Sequence, residues 1–325
     1  MKDKFIFIVN PKAGKNGRAV NFITQIEAAA KAFALDYELY ITKSAGDALE
    51  FTRTRCRNLQ QPTRFFACGG DGTMNEVING AVGTPGASVG VLPLGSGNDY
   101  IKAFGAADFL NMQAQIEGAA VLVDLIRVGS RYVANMCNIG FDASVAHNFI
   151  KFKSKPGISG PMAYSMSVFY TLSKKISTPM TITLDDGTEI YDDMLLCSVS
   201  KGIYCGGQYK TAPNANPTDG FLDVCPIRKI SRAKFLQFFN LYKDGKHFES
   251  PAMQGIVSYH KCRRVTIRGV QQLPACFDGE PAFLSGAVTF EVVPAALPFI
   301  LPAQTVKNKD VEKAAAEIFK APSLA

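Results

Sequence analysis

The first part of the chain alternates short apolar runs with longer stretches in which apolar residues recur at helical spacing. Four apolar runs predict β-strands, at Phe5–Val9, Tyr37–Thr42, Arg64–Cys68 and Ser88–Pro93. The stretches between and after them predict helices near residues 18–33, 46–57, 74–81 and 111–117. Alternating strand and helix is typical of a doubly wound α/β fold with a parallel sheet.

From about residue 121 the pattern changes to short strands separated by turn residues. These strands are predicted at residues 121–128, 132–139, 180–184, 193–199, 221–226, 265–268 and 288–293. The pattern predicts a β-rich, β-sandwich-like second domain. One long helix is predicted inside it, at residues 161–174, and its apolar side chains face either a protein core or a lipid.

Length and composition fit two folded domains. The 325 residues exceed one ordinary domain of about 100–200 residues, and the composition of 47% hydrophobic and 19% charged residues is that of a globular protein. We predict an α/β domain at residues 1–125, a β-rich domain at residues 126–296, and a C-terminal segment at residues 297–325. This segment contains a helical run at residues 310–320 and is expected to pack back on the first domain.

The charge of the chain mildly favours anionic partners. A formal net charge of +7, from 35 Lys and Arg against 28 Asp and Glu, suits nucleotides, lipid headgroups or nucleic acids. No arginine-rich tract, zinc-binding spacing or aromatic-basic signature accompanies this charge, so nucleic-acid binding is not expected.

Cysteine usage and hydropathy predict a cytoplasmic protein. The eight cysteines form no C-x-x-C pair, and several lie in apolar strand-like runs, which is typical of reduced, buried thiols. The apolar run at the N-terminus is too short for a signal peptide, and no stretch reaches the roughly 20 residues that span a bilayer. Contact with a membrane is therefore expected to be peripheral at most.

The most informative loop is Gly69-Gly70-Asp71-Gly72-Thr73, between a predicted strand and a predicted helix. Glycines let backbone N–H groups approach phosphate oxygens closely. A carboxylate among phosphates requires a nearby cation, so Asp71 indicates a divalent metal ion. Alone, the same residues also fit a tight turn with Asp71 or Thr73 capping the helix.

Two further loops end predicted strands in the same way. The first is Asn10-Pro11-Lys12-Ala13-Gly14, where Lys12 and Lys15 suit phosphate charge, and the second is Gly95-Ser96-Gly97-Asn98-Asp99. Asp124 follows on the next strand. Each feature alone is typical of an ordinary turn or surface residue. Since ligands gather at the carboxyl ends of parallel strands, together they predict a nucleotide and metal site. Its candidate residues are Asn10, Pro11, Lys12, Gly14, Gly69, Gly70, Asp71, Gly72, Thr73, Gly95, Ser96, Gly97, Asn98, Asp99 and Asp124.

These three motifs, in this order, resemble the catalytic domain of diacylglycerol kinases and their sphingosine and ceramide kinase relatives. The resemblance covers nearly the whole chain and continues at residues 138–142, 214–220 and 277–280. It implies a nucleotide domain and a β-sandwich domain with the active site between them, ATP and Mg²⁺ as cofactors, and a lipid substrate at a membrane surface. It also implies a homodimer. One departure is Ser96-Gly97, where many members have Thr followed by Ala or a similar residue.

The resemblance also implies roles for individual residues. Asp71, Asp99 and Asp124 match an acidic network around the Mg²⁺ of the nucleotide. Asp278 and Glu280 match an acidic turn in which Glu280 is the general base, although an Asp-Gly hairpin turn also fits the residues alone. A second, structural Mg²⁺ is expected at the Asp219 carboxylate and the backbone carbonyls of Asn216 and Phe221.

Two other functions share parts of this pattern. NAD kinases also contain Gly-Gly-Asp-Gly-Thr, and a regulator that binds a nucleotide without turnover would keep the fold. Asn-Pro-Lys-Ala-Gly and Asp278-Gly279-Glu280 favour a lipid kinase over both. Diacylglycerol is the first candidate substrate, and undecaprenol-like alcohols, sphingoid bases or phosphatidylglycerol offer the same hydroxyl.

Overall fold

The computed structural model describes residues 3–14, 18–174 and 176–306. They form two compact units. The N-terminal unit contains the described residues up to Leu125, Pro217–Asp219, and those from Val293 onward. The C-terminal unit contains Ile126–Asn216 and Gly220–Val292. The helical run predicted at residues 310–320 lies outside the described residues.

The N-terminal unit is built on parallel strands with helices between them. Its elements are β1 (Lys4–Val9), α1 (Arg18–Ala32), β2 (Asp36–Ile41), α2 (Asp47–Arg57), β3 (Thr63–Gly69), α3 (Asp71–Ala81), β4 (Ala87–Pro93) and α4 (Met112–Ile116). The strands pair in the order β4-β3-β1-β2, all parallel. β1 and β3 are central and almost fully buried, which explains their nearly continuous apolar sequences.

The core of this unit is aromatic. The rings of Phe5, Phe7 and Phe66 stack on one another at centroid distances of 5.4–6.5 Å. Two short 3₁₀ helices, Tyr100–Phe104 and Asp108–Leu110, follow β4. α3 begins at Asp71, three residues before the predicted start, so most of the Gly-Gly-Asp-Gly-Thr motif is the first turn of a helix.

The C-terminal unit is an antiparallel β structure. The elements from here to the end of the described chain are β5 (Ala119–Val128), β6 (Arg131–Val133), β7 (Met136–Gly140), α5 (Phe141–Lys153), α6 (Gly160–Ser173), β8 (Thr178–Leu184), β9 (Glu189–Ser200), β10 (Leu222–Arg228), α7 (Arg232–Asp244), β11 (His260–Cys262), β12 (Arg264–Gly269), β13 (Leu273–Phe277), β14 (Glu280–Leu284), β15 (Ala287–Leu301) and α8 (Ala303–Val306). The strands pair in the order β14-β13-β7-β9-β8-β12-β15, while β10 pairs with β9 and β11 with β10. The last residues of β15 return to the N-terminal unit, where Phe299 pairs with Val89 of β4.

The prediction of a single long helix in this unit was wrong. α5 and α7, each of 13 residues, accompany α6. α7 carries local signals that the sequence analysis missed, since Ser231 caps it by accepting a hydrogen bond from the Lys234 amide. Its buried residues Phe235, Phe238 and Tyr242 also have helical spacing. Within the described residues, no helix is long and apolar enough to cross a membrane.

Candidate functional site

The Asn10 loop and the start of α3 lie side by side at the carboxyl ends of β1 and β3. The Asn10 side-chain amide donates to the Thr73 hydroxyl at 3.2 Å and accepts from the Lys12 backbone amide at 3.0 Å. Gly69 allows this approach, because a Cβ atom there would lie 2.3 Å from the Thr73 hydroxyl oxygen. Two of the three predicted phosphate loops are therefore in direct contact. Lys15, the second predicted phosphate-binding lysine, lies outside the described residues.

The third loop, after β4, is packed on the second through glycine backbone. A Cβ atom on Gly95 would lie 2.6 Å from the Gly70 Cα, so a side chain at residue 95 would push the two loops apart. Asn98 holds the turn, since its amide donates to the Gly95 carbonyl at 2.9 Å and its φ of 49° is left-handed. The contact fixes both loops at the N-terminus of α3.

Asp71 and Asp99 meet at this point. The Asp71 carboxylate accepts a hydrogen bond from the Asp99 backbone amide at 2.7 Å, and its other oxygen lies 2.8 Å from where a Cβ of Gly97 would stand. The Asp99 carboxylate is buried and pairs with Lys102 at 2.5 Å. The structure thus brings together two of the three acids predicted around the metal.

Asp124, the third acid, is buried in the same unit with partners of its own. Its carboxylate accepts from the Ala295 amide at 2.9 Å, and its backbone amide donates to the Pro217 carbonyl at 2.8 Å. These bonds tie β5 to β15 and to the Pro217–Asp219 segment within the N-terminal unit.

The Asp71 and Asp99 pair fits the Mg²⁺ ion of a nucleotide complex. Among residues 3–14, 18–174 and 176–306, no group of three or more His, Cys, Asp or Glu side chains is arranged to hold a metal. Mg²⁺ on nucleotides takes most of its ligands from phosphates and water and needs only one or two carboxylates. Backbone amides at a helix N-terminus suit the phosphates. This arrangement can therefore bind a triphosphate and its metal, but it is not a metal cage built of protein alone.

In the C-terminal unit, Asp278 organises the backbone of the predicted acidic turn. Its carboxylate accepts hydrogen bonds from three successive amides, those of Ala134, Asn135 and Met136, at 2.8, 2.9 and 3.0 Å. Asp278 itself has a φ of 47°, and Gly279 follows with a φ of 88°, which makes the tight turn between β13 and β14. These bonds give the Asp278 carboxylate a structural role.

Glu280, the predicted general base, is the first residue of β14. Its carboxylate forms an ion pair with the guanidinium of Arg131, and 45% of its side chain is exposed. The same guanidinium lies 5.7 Å from the centre of the Phe277 ring. Glu280 is thus oriented by Arg131 while part of the carboxylate is open to a substrate.

One of the predicted ligands of the second Mg²⁺, the Phe221 carbonyl, already has a cationic partner. The Lys201 ammonium donates to the backbone carbonyl of Phe221 at 2.6 Å. Asn216 and Asp219, the other two predicted ligands, stay predictions.

An apolar cavity of about 90 Å³ lies among α5, α6 and α7. Its lining residues are mostly aromatic and aliphatic: Phe141, Asp142, Val145, Ala146, Tyr164, Val168, Cys205, Gly206, Tyr209, Phe235, Phe238, Phe239 and Tyr242. Asp142 is the only acid among them and accepts a hydrogen bond from the Tyr242 hydroxyl at 2.6 Å. Burial raises the pKa of Asp142 to about 6, although this hydrogen bond opposes the shift.

The sequence analysis did not place this cavity, because two of the three helices that form it were not predicted. The Phe-Asp pair at the start of α5 was noted only as part of a motif. The helical spacing of apolar residues in α7 could have predicted this helix. Such an apolar stripe indicates packing against another apolar surface.

Comparison with known proteins shows the family to which the chain belongs. The family model of the diacylglycerol kinase catalytic domain matches residues 4–128, and that of the YegS C-terminal NAD kinase beta sandwich-like domain matches residues 135–301. A diacylglycerol kinase of Staphylococcus aureus strain MRSA252 is 30% identical over 293 residues, which cover 86% of this chain and 87% of the relative. The chain belongs to the diacylglycerol kinase family. A diacylglycerol kinase of Staphylococcus carnosus strain TM300 is 29% identical over 86% of this chain and 89% of that relative.

Solved structures show the diacylglycerol kinase fold. A putative diacylglycerol kinase from Bacillus anthracis strain Sterne superposes with a TM-score of 0.73 at 23% identity, over 93% of this chain and 98% of that protein. Another from the same strain gives 0.72 at 24% identity, over the same shares of both chains. The predicted family and the predicted fold class, an α/β domain followed by a β-sandwich-like domain, are confirmed.

Proposed function

We propose that this diacylglycerol kinase family member is a Mg²⁺-dependent kinase that transfers the γ-phosphate of ATP to a lipid hydroxyl. The observation that carries the proposal is the apolar cavity among α5, α6 and α7 with its one carboxyl group, Asp142. An aromatic and aliphatic wall suits a hydrocarbon chain. Diacylglycerol, giving phosphatidic acid, is the first candidate because the relatives carry that name.

The N-terminal unit would hold the nucleotide. Backbone amides of the glycine loops and of the first turn of α3 would bind the phosphates, and Lys12 would add a positive charge. Asp71 and Asp99 would hold the Mg²⁺ ion, with Asp124 in the surrounding acidic network. When bound, the ion neutralises the charge on the transferring phosphoryl group. The contact between Gly70 and Gly95 keeps these loops fixed for that task.

Glu280 would act on the acceptor. A bond forms between the lipid hydroxyl oxygen and the γ-phosphorus, while the bond from that phosphorus to the bridging β–γ oxygen breaks and ADP leaves. The hydroxyl proton passes to the Glu280 carboxylate, which is half exposed and oriented by Arg131. Asp278 holds the backbone on which this turn rests.

A surface on α5 and α6 supports peripheral contact with anionic membranes. Phe169 of α6 is 71% exposed, and Tyr170 beside it is 45% exposed. Lys153 and Lys155 lie over the rings of Phe149 and Phe152, at 5.4 and 5.3 Å, and Lys174 lies 5.2 Å from the Tyr170 ring. Each lysine near an anionic surface contributes about 1 kcal/mol of attraction, and exposed rings suit the interface. A homodimer remains a prediction from the family resemblance.

The test is a direct competition between acceptors. The full chain is incubated with Mg²⁺, labelled ATP and either NAD or mixed phospholipid vesicles that contain diacylglycerol, and the labelled product is identified by mass spectrometry. We expect label in a lipid product and none in NAD. Label in NADP alone would replace the proposal with a nucleotide kinase. Transfer to neither acceptor, nor to any component of a whole lipid extract, would indicate a regulator without turnover.

A further inference from the structure

His147 on α5 binds two backbone carbonyls with one ring nitrogen. Its Nε2 lies 3.1 Å from the Ala275 carbonyl oxygen and 3.0 Å from the Ala282 carbonyl oxygen. Carbonyl oxygens only accept, so Nε2 carries a hydrogen and donates to both in a three-centre hydrogen bond. The imidazole also packs on the Phe283 ring, at a centroid distance of 4.5 Å. These contacts fix the position and orientation of the His147 ring.

The two carbonyls belong to the hairpin that carries Glu280. Ala275 of β13 and Ala282 of β14 lie directly opposite each other, and Glu280 is two residues before Ala282. Among the described strands, β14 is at the edge of the sheet and pairs with β13 alone. An edge strand has backbone hydrogen bonds to a neighbour on one side only. A side chain that binds both strands of the hairpin, as His147 does, therefore restricts the movement of β14.

The helix that carries His147 is itself anchored in the same unit. Phe141 and Val145 of α5 are buried in an apolar cluster. The Asn148 amide donates to the Thr171 hydroxyl of α6 at 3.1 Å. α5 is thus a fixed support, and His147 attaches the hairpin to it.

Three contacts then hold the hairpin at different places. Asp278 binds the backbone amides of residues 134–136 at the turn. Arg131 pairs with the Glu280 carboxylate, and His147 binds the two strands. A general base functions only when its oxygen lies within hydrogen-bond reach of the proton, and a displacement of about 1 Å can cost about 100-fold in rate. Of these three contacts, the one made by His147 joins the hairpin to a helix.

We propose that His147 is a positioning residue for phosphoryl transfer, which keeps the Glu280 carboxylate in reach of the acceptor hydroxyl by binding the strand that carries it. This role rests on the proposed function, in which Glu280 is the general base. It requires only the hydrogen on Nε2 and no bond from His147 to the lipid or to ATP. His147 thus acts through Glu280.

The first experiment varies the position of the donor. The glutamine amide nitrogen is the same number of bonds from Cα as the histidine Nε2, whereas the asparagine amide nitrogen is one bond closer. Transfer to diacylglycerol is measured in uncharged detergent micelles, so that surface charge does not influence the comparison. We expect His147→Asn to lower kcat about 10-fold or more with an unchanged KM for ATP, and His147→Gln to stay within about 3-fold of the wild type. Lys151→Asn, at an exposed position of α5, is the matched control and should retain the wild-type kcat.

The second experiment tests whether His147 acts through Glu280. In the Glu280→Gln background, His147→Asn should change kcat, measured with labelled ATP, less than about 3-fold, because the base that it positions is already absent. A further loss of about 10-fold in the double variant would show that His147 affects the reaction independently of Glu280. That result would overturn the proposal.

The outcomes separate the role of His147 from the proposed function. If the wild type phosphorylates the lipid and His147→Asn is equally active, the role of His147 is refuted and the function stands. If the wild type phosphorylates no lipid, both are refuted. If circular dichroism shows that His147→Asn does not fold, His147→Gln decides, because a kcat more than about 10-fold below that of the wild type in this variant would contradict the role of Nε2.

Discussion

Arg131 donates a hydrogen bond to the carboxylate of Glu280, although the two residues are 149 positions apart in the sequence. Arg131 lies on β6 and Glu280 begins β14. The ion pair restricts the carboxylate to one orientation while 45% of the Glu280 side chain stays exposed. A general base must lie within hydrogen-bond reach of the proton that it accepts, so its orientation is as important as its identity.

Loss of the arginine should therefore reduce turnover and leave ATP binding intact. We expect Arg131→Met to lower kcat about 10-fold or more with an unchanged KM for ATP, and Arg131→Lys to restore part of the rate. Arg127→Met is the control, because Arg127 makes a similar ion pair with Glu291 elsewhere in the same unit. Steady-state kinetics decide the matter. Equal losses in the two methionine variants would assign Arg131 a role in folding only.

Substitution of the Glu280 and Asp71 carboxylates should reduce activity far more than substitution of an ordinary surface acid. We expect Glu280→Gln and Asp71→Asn each to lower kcat by at least about 100-fold, since one removes the proton acceptor and the other a metal ligand. Asp244→Asn, at an exposed position at the end of α7, should retain full activity. Circular dichroism checks that each variant folds. Normal turnover by both site variants would refute the assignment.

Gly95→Ala tests the contact between the phosphate loops. The added methyl group would lie 2.6 Å from the Gly70 Cα, so we expect the loops to separate, activity to fall more than 10-fold, and stability to fall by about 1–3 kcal/mol. Gly160→Ala is the control, because its Cβ would meet no atom within 4 Å and its φ is not positive. Denaturant titration and the KM for ATP measure the two effects. If the two variants have similar activity and stability, the contact between the loops can accommodate a side chain at residue 95.

Asp142 should make stability depend on pH. Burial raises its pKa to about 6 in the folded chain, above the 3.8 of the free group, so the folded state binds the proton more tightly. Its contribution is fully present below about pH 4 and is lost as the pH rises through 6, a change of at most about 3 kcal/mol. Asp142→Asn abolishes this loss, because the amide stays neutral and still accepts from Tyr242.

We therefore expect Asp142→Asn to gain stability relative to the wild type between pH 4 and pH 7.5. Urea titrations across this range give the difference at each pH. Asp244→Asn is again the control and should show no such trend. A difference between Asp142→Asn and the wild type that is independent of pH would show that the carboxyl group is not buried in solution.

The cavity can be filled to test its role in lipid recognition. Ala146 lines it, and Ala146→Phe should raise the KM for the lipid about 10-fold or more while the KM for ATP stays the same. Ala233→Phe makes the same change at an exposed position of α7 and should leave both constants unaltered. If Ala146→Phe uses lipid as well as the wild type does, the hydrocarbon chain binds elsewhere.

Local sequence patterns were sufficient to predict the strands and helices of the N-terminal half and the phosphate loops. Strands such as Phe5–Val9 are marked by their own apolar runs, and Gly69 and Gly70 stand next to the strand whose end they form. The contact between Asp278 and Asn135 spans 143 residues, and that between Arg131 and Glu280 spans 149. Such pairs depend on the register of paired strands, which no local pattern fixes.

The missed helices have a different cause. α5 begins at Phe141, directly after β7, with no connecting loop to mark its start. Because α5 and α7 were not predicted, the cavity between the three helices could not be predicted either. The sequence analysis therefore assigned no role to Asp142. The hydrogen bond of Lys201 could not be predicted either. Its acceptor, the Phe221 carbonyl, is a backbone group that every residue possesses.

α6 buries small and hydroxyl-bearing residues on one side while some of its large apolar residues are exposed. Ala163, Ser167 and Thr171 are buried, and both hydroxyl groups bond back to the helix carbonyls one turn earlier, while Met162 and Phe169 face solvent. Exposed apolar side chains such as these leave water when the helix lies at a boundary between water and oil or air. The free energy of the protein is therefore lower at such a boundary. The purified protein should accordingly behave as a mild surfactant, adsorbing to bubbles, plastic and monolayers, and salt should weaken its adsorption to acidic films more than to neutral ones.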